Sequence, residues 1–357
     1  MDEHGVDDVW IASAATVFPP HYYSQDELLT ALKGQWGDRL DNVAGLERLH
    51  RRCRVDGRHL ALPIDAYGAL RTWGQANDAW IRVAQELGAR AITEALGRAG
   101  LTPDDVGTLV SASVTGIASP SIDARLIERL GLPCNLRRLP IFGLGCVGGA
   151  AGLARAADLV RAEPEQVAIL LAVELCSLTW QKEDLSVANL IGAGLFGDGA
   201  AAVVVTGRDL PLAGPRIVAT ESVFYPGTED AMGWHISECG FRIKLSPDVP
   251  NVVRTHLGHD VDRFLSRRGL GRQDIGTWIV HPGGPRVLEA ARDALALPDA
   301  AVEASWDCLR RTGNLSSVSV LMVLEEFMEH RRPPAGTWSL LCAMGPGFCA
   351  EMVLLRW

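Results

Sequence analysis

Three short segments carry side chains that together could transfer an acyl group. Cys146 sits in Gly143-Leu144-Gly145-Cys146-Val147-Gly148-Gly149, His281 opens His281-Pro282-Gly283-Gly284-Pro285, and Asn314 lies in Gly313-Asn314-Leu315-Ser316-Ser317. A thiol can attack a thioester, an imidazole can hold the thiol's proton, and a side-chain amide can donate to a developing oxyanion without a charge that titrates. Each also has an ordinary reading alone: a small buried cysteine in a packed turn, a structural strand-end histidine, a turn or helix cap. Glycine beside all three lets another group approach the backbone closely. Together they have the parts of an acyl-transfer site.

The flanking patterns say how such residues would be held. Leu139 to Phe142 reads as the end of a buried strand and Ala150 to Val160 as an alanine-rich helix. Cys146 would then sit at a helix N-terminus, where unpaired N–H groups and the helix dipole favour a thiolate. His281 follows the apolar run Thr277 to Val280, and Val318 to Met328 has helical spacing behind Asn314. The rest alternates strand and helix. Strands are predicted at Val9 to Ala14, Thr108 to Val114, Gln166 to Glu174, Ala200 to Thr206, Arg216 to Tyr225, Trp338 to Ala343 and Ala350 to Arg356. Helices are predicted at Asp78 to Gly97, Pro250 to Arg268 and Pro285 to Leu295. Leu101 to Val110 and Leu270 to Ile279 share one design, an acidic turn, a glycine and a buried strand, which suggests a duplicated α/β half. The Gly- and Pro-rich stretch Gly207 to Pro215 would separate a half at 1–210, carrying the thiol, from one at 211–357, carrying the imidazole and amide.

Composition narrows the class. The chain has 357 residues, 48% of them apolar, enough for a large core. A net charge of −9 argues against generic nucleic-acid binding. No apolar run approaches a membrane span, and the acidic start Met1-Asp2-Glu3-His4 is unlike a signal peptide. Eight scattered cysteines without a CxxC pair read as reduced thiols of a cytoplasmic protein rather than as a disulfide frame or a zinc site. The histidines show no metal spacing, and no glycine-rich phosphate loop ends in Lys-Ser/Thr.

Over nearly its whole length the sequence resembles the bacterial type III polyketide synthases, condensing enzymes of the thiolase fold. The resemblance is carried by Gly145-Cys146-Val147-Gly148-Gly149, Leu195-Phe196-Gly197-Asp198-Gly199-Ala200-Ala201, His281 to Pro285, Gly313 to Ser317 and Gly345-Pro346-Gly347, with 135 residues from Cys146 to His281 and 33 from there to Asn314. It implies an α/β thiolase fold of two topologically equivalent αβαβα halves, a homodimer, and a buried site at the end of a CoA tunnel. It also implies Cys146 as nucleophile, His281 and Asn314 as its partners, and Phe196 as an aromatic gate. Core packing for Phe196 and turn capping for Asp198 remain the ordinary readings. The family grips CoA phosphates where Arg48 and Arg52 fall, while a third basic position falls on Gly45. Against the plant chalcone synthases, a second gating phenylalanine becomes Ile243, a methionine that reaches across the dimer becomes Ser119, and a pocket glycine becomes Trp234. Thr179 falls in the same pocket. The segments around Thr179 and Gly345 look more like the alkylpyrone and alkylresorcinol synthases.

The expected chemistry is iterative. An acyl-CoA starter, medium or long in chain, loads onto Cys146. Malonyl-CoA loses CO₂ to an enolate held by His281 and Asn314, and the polyketone closes to a pyrone or a resorcinol. CoA thioesters are substrates in this scheme, and no cofactor or metal is called for. Small or aliphatic lining is expected from Ser119, Ile243, Leu144 and Gly192-Ala193-Gly194, with Trp234 capping the cavity. A single-round condensation with an acyl-carrier protein, as in ketoacyl synthase III, is the enzymatic alternative. A silent acyl-binding subunit is the non-enzymatic one.

Overall fold

A computed structural model describes residues 8–357 except 41, 208–209 and 211–213. The acidic start Met1 to His4 therefore lies outside the described residues, as do 208–209 and 211–213 of the expected boundary. Among the described residues nine strands join in one mixed sheet, in the order 275–280, 338–345, 349–356, 216–224, 9–17, 198–207, 167–175, 106–113, 137–142.

Half of that series repeats the other. Strand Val9–Val17 is antiparallel to Asp198–Gly207, which is antiparallel to Val167–Leu175, which is parallel to Val106–Ser113. Strand Arg216–Phe224 meets Cys349–Arg356, Trp338–Gly345 and Ile275–Val280 with the same three senses. The two series join where Val9 and Trp10 pair with Ile217 and Arg216. The shared turn design holds in detail: Asp105 accepts from Thr102 N at 2.7 Å and Asp274 from Gly271 N at 2.7 Å, each closing a three-residue turn that feeds a strand.

The strands alternate side chains between two cores, as the period of two requires. In Val167–Leu175, Val167, Ile169, Leu171 and Val173 face the helix Trp73–Ala99, while Ala168, Leu170 and Ala172 face a central layer. In Trp338–Gly345, Leu341 and Ala343 face that same central layer, and Leu340, Cys342 and Met344 face an outer layer with Val249–Ser266 and Pro285–Leu295. The central layer is the helix pair Gly148–Ala162 and Ser317–Glu329. Helix, sheet, helix pair, sheet, helix is the five-layered αβαβα order of a thiolase fold. Gly149 makes the central crossing close, because a Cβ there would stand 2.2 Å from the carbonyl oxygen of Ser317. The two central helices thus bring the residues at their N-termini, 146 and 314, to one place.

One expected buried strand is not buried. Arg137–Phe142 is the outermost strand of the sheet, with Leu139 36% and Phe142 50% exposed. Its apolar residues looked like core, but it has a neighbour on one side only.

Candidate active site

The nucleophile segment is a tight joint. Gly143 and Gly145 adopt φ of 94° and 52°, and Gly145–Val147 forms one 3₁₀ turn that runs straight into the helix Gly148–Ala162. These left-handed values are what glycine supplies without steric cost. The Gly345-Pro346-Gly347 loop packs on the same turn: a Cβ on Gly145 would meet Pro346 at 2.9 Å, and one on Gly345 would meet Val147 N at 3.0 Å. Cys146 is left 5% exposed, on the wall of a cavity.

Asn314 is aimed by its own backbone. Its Oδ1 accepts from Ser316 N at 2.7 Å, so its Nδ2 must point the other way, toward Gly283 O at 3.2 Å and Cys146 Sγ at 4.0 Å. Ser316 holds φ at 51°, a left-handed value a serine adopts only when its surroundings force it. Backbone bonds Asn314 N to Leu195 O (2.9 Å) and Gly197 N to Asn314 O (3.0 Å) tie this turn to Phe196. The amide is thereby held as a donor beside the thiol.

His281 is buried at the exit of Ile275–Val280, with its backbone N bonded to Cys342 O at 2.9 Å. Both ring nitrogens are without a hydrogen-bond partner, so the expected bond to Cys146 is not formed. Asn314 is instead the bridge between the thiol and the 281–283 segment. Burial, followed by the nearby Glu174 carboxylate, pushes the Cys146 thiol up to about 12, and burial pushes His281 down to about 3. Each shift is the cost of one charge formed alone away from water. Taken one at a time, both shifts favour the uncharged form, against the thiolate expected at a helix N-terminus. Moving the proton from sulfur to ring makes both charges together, and their mutual attraction offsets part of that cost.

Two buried carboxylates brace the site, and sequence reasoning gave neither this place. Glu174 accepts from Val114 N (3.1 Å), Thr115 Oγ1 (2.9 Å) and Ser317 Oγ (2.6 Å), joining two strand ends to the start of the second central helix. Burial raises its pKa despite these donors. Asp198 does not cap a turn: it starts strand Asp198–Gly207 and accepts from Ala61 N (2.6 Å), Ser177 N (2.9 Å) and Ser177 Oγ. Burial, opposed by those donors and by the Arg58 guanidinium, leaves it at about 6. Arg58, fully buried, donates from Nη1 to Phe196 O at 2.9 Å.

The cavity before Cys146 has a volume of about 1100 Å³, mouth included. Of the expected pocket residues, Phe196, Ile243, Trp234 and Thr179 all line it. Trp234 and Ile243 are cross-strand partners in the hairpin Met232–Ser237/Gly240–Leu245, which the sequence reading missed, so both project from one face. Gly192 and Ala193 line the wall as expected, whereas Leu144 packs in the central core and Gly194 is covered by His50. Ser119 is not on the wall of this chain's cavity and lies exposed. Cys176, Tyr67 and Thr115 are lining residues that the sequence reading did not single out.

Arg48 and Arg52 stand on the outer side of helix Val43–Arg52, whose inner side buries Leu46 and His50. Neither has a carboxylate partner among the described residues, whereas Arg51 and Arg54 pair with Glu47 and Glu289. Through His50 the helix rests on Gly194, beside the cavity-lining Gly192 and Ala193.

Comparison with known proteins bears on the family and the fold. Residues 64–209 match the profile of the chalcone and stilbene synthases, N-terminal domain, and residues 216–357 that of the C-terminal domain. A 1,3,6,8-tetrahydroxynaphthalene synthase of Streptomyces peucetius subsp. caesius is 51% identical over 350 residues, 97% of this chain and 93% of its own. A 3,5-dihydroxyphenylacetyl-CoA synthase of Amycolatopsis orientalis is 33% identical over 97% of this chain and 93% of its own. The crystal structure of 1,3,6,8-tetrahydroxynaphthalene synthase from Streptomyces coelicolor A3(2), a bacterial type III polyketide synthase, superposes with a TM-score of 0.93 at 32% identity, over 98% of this chain and 99% of that one. With both domain profiles matched across the thiol, imidazole and amide segments, this chain belongs to the chalcone and stilbene synthase family and is a type III polyketide synthase.

Proposed function

We propose that the enzyme primes itself with malonyl-CoA, extends the chain with further malonyl units on Cys146, and closes it to 1,3,6,8-tetrahydroxynaphthalene. The carrying observation is the 51% identity, across 97% of the chain, with an enzyme named for that product. Carbon counting fits the reading. Ten ring carbons with alternating oxygens and no side chain are five two-carbon units, so five malonyl-CoA give the tetraol, five CoA, five CO₂ and one water. The cavity wall is mostly apolar but carries a few polar side chains, Thr115, Tyr67, Ser177, Thr179 and Asn189, among which the carbonyls of a polyketone chain could lie.

In this reading the Cys146 proton passes to His281 as the sulfur attacks the malonyl thioester, and CoA leaves as the thiol. A second malonyl-CoA loses CO₂, and the bond's electron pair becomes an enolate whose oxygen is met by Asn314 Nδ2 and the His281 ring. The enolate carbon attacks the Cys146 thioester, the thiolate leaves, and the lengthened chain returns to sulfur from its CoA ester. Decarboxylation drives each round, so the scheme needs no cofactor. Arg48 and Arg52, exposed without acidic partners, would hold the CoA phosphates. The outermost strand Arg137–Phe142, with an open edge and exposed Leu139 and Phe142, would pair with its counterpart in a homodimer and bring Ser119 toward the partner. Among the described residues no helix is long and apolar enough to cross a membrane, and the eight unpaired cysteines suit the cytoplasm.

A second reading keeps a medium or long fatty acyl starter and an alkylpyrone or alkylresorcinol product. It is favoured by the mostly apolar lining of the cavity, to which Leu28, Leu32, Leu60 and Ile64 contribute. Kinetics with a starter series from acetyl- to stearoyl-CoA, each against malonyl-CoA alone, separate the two. Turnover on malonyl-CoA alone that longer starters do not improve supports the naphthalene. A rise with each methylene, about 0.8 kcal/mol per buried CH₂, would replace it with the fatty acyl reading. In the same series Trp234→Ala should open the cavity beside Ile243 and raise the share of longer chains or bulkier starters several-fold. Unchanged products would deny Trp234 its capping role.

The His281 role predicts a pH effect of definite sign. Removing the imidazole removes the acceptor for the Cys146 proton, so iodoacetamide should modify Cys146 more slowly in His281→Ala than in the parent near neutral pH. The two rates should converge as the pH rises toward the thiol's own ionisation, which burial places far above the ordinary range. Identical rate profiles would separate His281 from thiol activation.

A further inference from the structure

The hairpin Met232–Ser237/Gly240–Leu245 supplies the wall with Trp234 and Ile243, yet it is a separate two-stranded sheet outside the main one. Two strands alone are marginally stable, so the position of this wall depends on what ties it down. One side chain dominates the polar ties. Gln181 Nε2 donates to Cys239 O at 3.1 Å and Phe241 O at 3.0 Å in the hairpin, and to Thr179 O at 3.1 Å in the facing wall. The Gln181 backbone carbonyl accepts from Asn189 Nδ2 at 2.9 Å, and Asn189 and Thr179 both line the cavity. A charged tie, Arg242 to Asp184 at 3.3 Å, has a half-exposed guanidinium and is correspondingly weak.

We propose that Gln181 is a positioning residue that sets the width of the cavity between the Trp234–Ile243 wall and the Thr179–Asn189 wall, and through it the length at which the growing polyketone is released. This rests on the iterative reading of the site. Gln181 touches neither Cys146 nor Asn314, so it acts on where the chain can lie rather than on decarboxylation. Three carbonyls converge on one nitrogen, and this gives the test its chemistry: a side chain with donors at that reach should serve, and one without donors should not.

The readout is the ratio of short released lactones to the parent's main product after incubation with malonyl-CoA, beside the rate of malonyl-CoA decarboxylation and the melting temperature. Gln181→Leu and Gln181→Glu, two variants of similar size without the amide donor, should shift the ratio by about fivefold, the factor one lost hydrogen bond carries, with decarboxylation within about twofold of the parent. Gln181→Lys, with three donors, should keep the parent ratio. A parental ratio in a folded Leu or Glu variant overturns the proposal, and so does a Lys variant that shifts as they do. Every variant is scored against the parent's own products. If the parent proves to need an acyl-CoA starter, the same ratio is read with that starter, and the priming reading fails without deciding the role of Gln181.

Discussion

Cys146→Ala should abolish both the acyl-enzyme and every product, at any malonyl-CoA concentration. Seven other cysteines are present, so the expectation rests on position rather than on chemistry alone. Cys146 lies on the cavity wall at a glycine-built joint, at the start of a central helix and within reach of the Asn314 amide. Cys176 shares the cavity, and burial raises its thiol as it raises that of Cys146, so the distinction is one of place. It follows the strand Val167–Leu175 and opens only the short 3₁₀ turn Cys176–Thr179, with no α-helix running on from it as Gly148–Ala162 does from Cys146. Acylation is read by intact-protein mass after brief exposure to a CoA thioester. Loss of the adduct in Cys146→Ala with retention in Cys176→Ala is the expected pair of results. An adduct that survives Cys146→Ala would move the nucleophile elsewhere.

Asn314→Ala should divide the reaction. Its amide is locked as a donor by Ser316 N on Oδ1, and in the proposed mechanism it serves the enolate oxygen, not the first attack on the thioester. Loading of Cys146 should therefore persist within a few-fold, while malonyl-CoA decarboxylation falls by roughly 10²–10³, the usual effect of removing one oxyanion donor. Asn314→Asp is the sharper variant. It keeps the shape and the acceptor for Ser316 N but puts a negative charge where the enolate forms, so it should be at least as damaging. Parental decarboxylation in either variant would leave Asn314 with a structural role only, holding the turn to Leu195 and Gly197 through its backbone.

Much of this arrangement was legible in the sequence, for physical reasons. Strands buried on both faces write long apolar runs, so Val167–Leu175 and Asp198–Gly207 were found within a residue or two. Helix Pro285–Leu295 was found to the residue because proline opens it and its apolar spacing is regular. The thiol, imidazole and amide stood out because glycine flanks each at the end of an element. Other features leave no local signature. Strand Arg137–Phe142 reads as core because its apolar residues do not reveal that one edge is open. The hairpin that carries Trp234 and Ile243 is the exception: Phe241-Arg242-Ile243-Lys244-Leu245 alternates apolar and polar residues as a half-buried strand does, and a reading keyed to long apolar runs passed over it. Glu174 was hidden in an apolar run, and only the three-dimensional meeting of Val114, Thr115 and Ser317 gives it partners.

The central claim is that chains grow step by step on Cys146, and the bound chain itself can be weighed. The enzyme is mixed with malonyl-CoA alone, quenched in acid at graded times, digested, and the peptide containing Cys146 is examined by mass spectrometry. The account predicts a ladder of adducts on that peptide alone, successive members differing by one C₂H₂O unit, with the early members fading as free product gathers. A single adduct that never lengthens, or a ladder on any other peptide, would contradict it.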